Sequence, residues 1–195
     1  MIIGVCGRVS AGKETLTEFL RKKGFIYFET SKLINEELVK RGLEVTRKNQ
    51  QDLADSLRKE EGVGVLMKML LDKTEQGKDY ILDSLRNAGE ATFLRENTQD
   101  FILIGVDASQ KIRFERILSR GKASDPKTWE EFLKMDERDN FDVNDPMGQQ
   151  TGRLIEMSDF VVMNDSTVEE GLMKIEEVWK QIESGLKKKE NKINY

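Results

Sequence analysis

The chain has 195 residues, with 32 Lys and Arg against 36 Asp and Glu, a net charge of −4, one cysteine and no histidine. That length supports one domain, or one domain with a small lid, and the mildly acidic balance argues against a protein that coats nucleic acid by broad phosphate neutralisation, while leaving room for local basic pockets. Without histidine and with a single cysteine, internal disulfides, the common zinc sites and every His-based triad are excluded, so any chemistry falls to carboxylates, Lys, Arg, hydroxyls and a hard cation such as Mg²⁺.

In chain order, residues 2–6 (IIGVC) form a short apolar run followed by Gly7, the pattern of a buried parallel strand that leads into a tight turn. From Thr15 the spacing becomes helical, with Leu16, Phe19 and Leu20 on one face. Phe25–Phe28 reads as a second strand, and Ser31 as the cap of a helix carrying Ile34, Leu38 and Val39 that Gly42 ends. Two further helices, Thr46–Lys59 and Gly64–Lys73, follow on either side of Gly62. Tyr80–Asp83 and Phe101–Val106 are strands three and four, with a polar helical stretch from Ala88 to Glu96 between them. Phe160–Met163 is the fifth, before a long helix with Val168, Leu172, Ile175, Trp179 and Ile182 on one face. Strands alternating with helices imply an α/β fold with a mostly parallel sheet covered on both sides.

Both prolines, Pro126 and Pro146, fall in a polar insertion between strands four and five, so residues 121–152 are the candidate lid. Residues 1–187 read as one domain and 188–195 as a C-terminal tail, the fraying end of a helix. No window approaches the roughly 18 apolar residues of a membrane span, and MIIGVCGR lacks the flank of a signal peptide, so a soluble, cytoplasmic protein with no membrane partner is expected.

The strongest chemical signal is Gly7-Arg8-Val9-Ser10-Ala11-Gly12-Lys13-Glu14-Thr15, which follows the first strand and opens the first helix. It matches G-x-x-x-x-G-K, a phosphate loop in which backbone N–H groups converge on phosphate oxygens and Lys13 reaches the outer phosphates. The pattern asks for Ser or Thr after the lysine, to place a hydroxyl on Mg²⁺, and this chain has Glu14, with Thr15 one residue out of register. Either Glu14 holds the metal, directly or through water, or Mg²⁺ relies on Asp83 and the phosphates. Asp83, at the carboxyl end of the third strand, can organise metal-bound water or take an acceptor's proton, and Arg86 suits a phosphate; the same two residues also fit a helix cap and a surface charge. Arg116, Arg120 and Arg138 are the lid candidates, which in phosphoryl transfer would close over the γ-phosphate, although five arginines between Arg113 and Arg153 also fit a solvated face. Cys6, the methionines Met67, Met69 and Met173, and Trp129 and Trp179 read as packing residues.

GRVSAGKET, DSLRNAGE (83–90), ERILSRGKASD (115–125) and SDFVVMNDSTVEE (158–170) together resemble the P-loop nucleoside monophosphate kinase superfamily. Within it the chain is similar to phage-type deoxynucleoside monophosphate kinases, dephospho-CoA kinases and the kinase-like domain of some deoxycytidylate deaminases. The resemblance implies a three-layer α/β/α P-loop NTPase fold with a five-stranded parallel sheet in order 2-3-1-4-5 and a helical lid. It also implies ATP and Mg²⁺ as cofactors and a small phosphorylated acceptor, most simply a nucleoside or deoxynucleoside monophosphate, with no nucleic acid as partner. ATP would lie on Gly7–Thr15, with Asn164 near the base; Glu29, Ser31, Asp83 and Arg86 would face the acceptor; Glu14 and Asp83 would hold the metal; and Lys13, Asp83, Arg120 and Arg138 would act in transfer. Dephospho-CoA kinases end the second strand in aspartate, where this chain has Glu29, which favours a monophosphate acceptor. Asn164 and Asp165 also read as a helix cap. A nucleotide-binding switch that transfers nothing is the non-enzymatic alternative.

Overall fold

The computed structural model describes residues 1–122, 125–140 and 147–193. Parts of the expected lid, 123–124 and 141–146 with Pro146, lie outside the described residues.

Five parallel strands form one sheet in the order β2-β3-β1-β4-β5: β1 Ile2–Gly7, β2 Ile26–Glu29, β3 Tyr80–Asp83, β4 Phe101–Asp107 and β5 Phe160–Met163. The expected strand order and P-loop architecture are those observed. β1 is central and has Ile3, Val5 and Cys6 fully buried, which is why its sequence is a continuous apolar run and not an alternation. Pairing sets Val5 opposite Asp83 and Gly7 opposite Val106, so the ends of β1, β3 and β4 meet along one margin of the sheet. In β5 the alternation reappears, with Val162 buried and Val161 and Met163 exposed.

The helices are α1 Lys13–Lys22, α2 Thr30–Lys40, α3 Arg47–Glu61, α4 Val65–Leu71, α5 Ala88–Asn97, α6 Gln110–Arg120, α7 Trp129–Asn140, α8 Thr151–Glu156 and α9 Val168–Ile193. Side chains of α1 and α9 pack with Ile3, Val5, Ile81 and Ile104 on one face of the sheet. Those of α2, α3, α4, α5 and α8 pack with Cys6, Leu82 and Leu103 on the other. Trp179 lies edge-on to Phe19 and Phe25, tying α9 to α1 as a packing residue. Met67 is buried and Met69 packs beside it, whereas Met173 is exposed, a departure from its expected packing role. No described helix is long and apolar enough to cross a membrane.

Helix starts were only partly readable. Thr46 caps α3 through Asn49 N, and Asn87 caps α5 in a reciprocal box with Glu90. Ser31 is not a cap: β2 runs straight into α2 at Thr30, and the extended Glu29 occupies the cap position without a side-chain bond. α9 starts behind Thr167, whose hydroxyl accepts from Glu170 N, and not behind Asn164 and Asp165.

Within the segment expected as the lid, α7 is docked on α6 by a buried ion pair. Arg113 on α6 is 1% exposed and grips Asp136 on α7 with both guanidinium nitrogens, at 2.5 and 2.8 Å, while its Nε donates to the Ala108 carbonyl. Gln110 donates a further bond to Asp136 at 3.0 Å. Phe132 lies under the Arg113 guanidinium, and Phe114 and Trp129 complete an aromatic cluster at the same joint. Arg113 therefore belongs neither to a solvated face nor to a group of arginines free for phosphate. Burial raises the Asp136 carboxyl, but the bonds from Arg113 and Gln110 outweigh it and hold the group below the ordinary carboxylate range. A carboxyl lowered on folding contributes stability above its unfolded value, about 4, and loses that contribution as pH falls through its folded value. Arg113→Ala, which leaves Asp136 buried without its cation, is expected to cost about 3–5 kcal/mol in urea unfolding at neutral pH. The penalty shrinks once acid neutralises Asp136.

Candidate active site

Loop 7–12 leaves β1 at the margin where β3 and β4 also end. A Cβ on Gly7 would lie 2.4 Å from the Val106 carbonyl, so only glycine lets the chain turn this close to β4. Ser10 and Gly12 both have positive φ, 57° and 91°, and Ala11 N closes the turn onto the Arg8 carbonyl. Gly12 precedes α1 in the left-handed region without a side-chain cap, which leaves the first amides of α1 for a ligand. Val9 and Ser10 are half-buried and Ala11 is fully buried. Lys13, at the start of α1, is pushed below the ordinary lysine range by burial, while Asp83 pulls it up and Arg86 pulls it down. One half-buried cation thus feels an acid and a guanidinium from the end of β3.

Asp83 is buried, with Oδ1 accepting from Ser84 N and Oδ2 from the Tyr27 hydroxyl, both at 2.6 Å. It does not cap α5; Asn87 does. Tyr27 escaped the sequence reading because its partner is 56 residues away. Burial and the Asp83 carboxylate both push the Tyr27 hydroxyl up, so it stays protonated and donates. Glu29 pairs in register with Asp83 and lines a groove of about 410 Å³ along β2, together with Arg21, Tyr27, Lys32 and Lys73. Ser31 is exposed on the first turn of α2.

Arg86 reaches Gln149 at 3.1 Å, its carbonyl accepts from Gln150 N, and Asn87 Nδ2 donates to the Gly148 carbonyl, so the turn after β3 holds the chain returning from the lid. Beneath it the buried Glu90 accepts from Arg86 N, Asn87 N and Arg58.

The lid arginines separate. Arg120 forms a two-bond pair with Asp125 at 2.8 and 2.7 Å, which raises the guanidinium and lowers the carboxyl. Arg138 is exposed on the last turn of α7. Arg116 bonds the Ser10, Ala11 and Asn164 carbonyls. Arg8 turns away from the loop mouth to Asp107 at the end of β4, at 3.2 Å. Asn164 is 8% exposed and donates to the Ala11 carbonyl, while Asp165 accepts from Ser109 N. Cys6 is fully buried beside Ser158, and burial pushes its thiol up to about 11, so it is core and not a nucleophile.

No three His, Cys, Asp or Glu side chains gather around a common point among the described residues. The donors present suit a cation that phosphates themselves hold, which needs only one or two carboxylates: Asp83 at the β3 end, and Glu14, exposed on the first turn of α1, whose charge reaches Lys13.

Sheet order and loop define a P-loop NTPase fold. The family described as AAA domain matches residues 3–142. The UPF0200 protein of Thermococcus gammatolerans is 31% identical over 193 residues, covering 95% of this chain and 97% of that protein. The chain belongs to the UPF0200 family and carries an AAA domain. In fold it is similar to a shikimate kinase from Aquifex aeolicus, with TM-score 0.57 and 15% identity, covering 95% of this chain and 98% of that one. A gluconokinase from Sinorhizobium meliloti gives 0.53 and 14%, covering 92% and 95%.

Gly12→Ala forces an L side chain to φ 91° and sets a Cβ 2.3 Å from Asn164 Nδ2. Backbone strain alone costs about 1–3 kcal/mol. The variant is expected to show a lowered melting temperature and loss of ATP binding by calorimetry.

Proposed function

We propose that this chain transfers the γ-phosphoryl group of ATP to a small phosphorylated acceptor, a nucleoside or deoxynucleoside monophosphate. The observation that carries the reading is the position of Lys13: half-buried at the start of α1, behind a loop with positive φ at Ser10 and Gly12, and within the fields of Asp83 and Arg86. In this reading the amides of Gly12, Lys13 and Glu14 bind phosphate oxygens and Lys13 meets charge on the transferring group. Arg86 holds the acceptor phosphate, and Tyr27 fixes Asp83 facing the acceptor oxygen. Mg²⁺, held by Asp83 and Glu14, would offset the charge of the phosphates. Along the β2 groove Lys73 is paired with Glu36, whereas Arg21 and Lys32 suit an anionic acceptor, and Tyr27 is the wall the groove shares with Asp83.

The test is a coupled assay across nucleoside and deoxynucleoside monophosphates together with dephospho-CoA. Turnover with a monophosphate is expected, and Lys13→Ala should lower it by on the order of 10³ without changing the unfolding curve. Unchanged turnover in that variant refutes the assignment; turnover with dephospho-CoA alone replaces the acceptor.

One observation favours the non-catalytic switch as a second reading: Arg116 and Arg120 are both engaged within the chain and not held free over the loop. Catalysis then needs Arg120 to leave Asp125. In the kinase reading Arg120→Ala lowers kcat by on the order of 10³ with little change in ATP affinity. In a switch the same variant changes affinity alone, and no phosphorylated product forms with any acceptor.

A further inference from the structure

A loop that binds phosphate through its backbone has an internal difficulty. Several N–H dipoles must point at one place, where they repel one another until an anion arrives. Because a trans peptide unit is planar, with C=O and N–H opposed, a carbonyl pinned outward fixes the following N–H inward. The Ala11 carbonyl accepts from Asn164 Nδ2 at 2.9 Å and from Arg116 Nη1 at 3.3 Å, and the same Nη1 lies 3.4 Å from the Ser10 carbonyl. Arg116 Nη2 then donates to the Asn164 carbonyl at 3.0 Å, which closes a triangle of α6, the loop and the segment after β5. Asn164 N is itself held by the Asp107 carbonyl at 2.7 Å. The carboxamide lies close against two glycines, since a Cβ on Gly12 would be 2.3 Å from its Nδ2 and one on Gly171 would be 2.9 Å from its Oδ1.

We infer that Asn164 and Arg116 are positioning residues which hold the Ala11–Gly12 peptide with its N–H toward the phosphates, acting through the loop and not on the base or the γ-phosphate. This rests on the phosphate-loop reading above and replaces the roles expected from sequence, Asn164 beside the base and Arg116 as a lid arginine. Asn164→Asp is nearly isosteric but sets an oxygen against the Ala11 carbonyl, where a donor stood.

The two roles separate with a ligand that has no base. Calorimetric titration of wild type and Asn164→Asp with ATP, GTP and inorganic tripolyphosphate is expected to show all three weakened by the same factor, about 10- to 100-fold, with the ATP to GTP ratio unchanged. Loss of ATP affinity with tripolyphosphate binding intact would place Asn164 on the base and overturn the inference. Arg116→Lys keeps the charge but loses the fork that spans three carbonyls, and serves if Asn164→Asp does not fold. It too should weaken tripolyphosphate and ATP alike, and a folded Arg116→Lys protein with wild-type tripolyphosphate affinity also overturns the inference. A wild-type chain that binds neither ATP nor tripolyphosphate sinks the phosphate-loop reading itself, and this inference with it.

Discussion

The pairing of β1 with its two neighbours places every group discussed above. β1 is buried on both faces and bonded on both sides, so it has no freedom to slide; a shift of one residue would exchange Ile3 and Val5 with Gly4 and Cys6 between the two cores. Register then brings Gly7 beside Val106, and Asp83 level with Val5. The loop can leave β1 only where β4 leaves room for a glycine, and Asp83 stands one strand away. The Asp107 that anchors Arg8 stands on the other side.

What the sequence made legible follows from how local each signal is. All five strands were readable because each is a short apolar run in a parallel sheet, and the phosphate loop because its residues are consecutive. Arg113 went unmarked as one of five arginines that also fit a solvated face, because arginine belongs on the surface by residue type and its partner Asp136 sits 23 positions away on another helix. The Tyr27 to Asp83 and Asn164 to Ala11 bonds span 56 and 153 positions, and nothing in the local pattern marks them. Ser31 misled for the opposite reason. A good capping residue was present, but the strand runs into the helix with no turn for it to cap.

The charged residues divide by burial more than by kind. Arg113, Arg116 and Arg120 stand on successive turns of α6, yet one docks a helix, one holds backbone carbonyls and one closes a local pair with Asp125. A guanidinium carries five donors in a rigid fork, so it suits each of these tasks where an ammonium would leave bonds unmade. All three are thereby engaged within the chain, and Lys13 is the cation at the loop whose charge interacts with both Asp83 and Arg86.

The outermost strands carry a further consequence. β2 and β5 each have four residues, β5 shows Val161 and Met163 to solvent, and no sixth strand pairs with it among the described residues. An open edge of this kind is a template on which a second molecule can add a strand and begin aggregation. Two features blunt it here: four residues offer few ladder bonds, and Lys174 reaches back from α9 to occupy the Met163 carbonyl, setting an ammonium where an incoming strand would bond. The lysine thus blocks one of the few bonding positions that the outer edge of β5 offers.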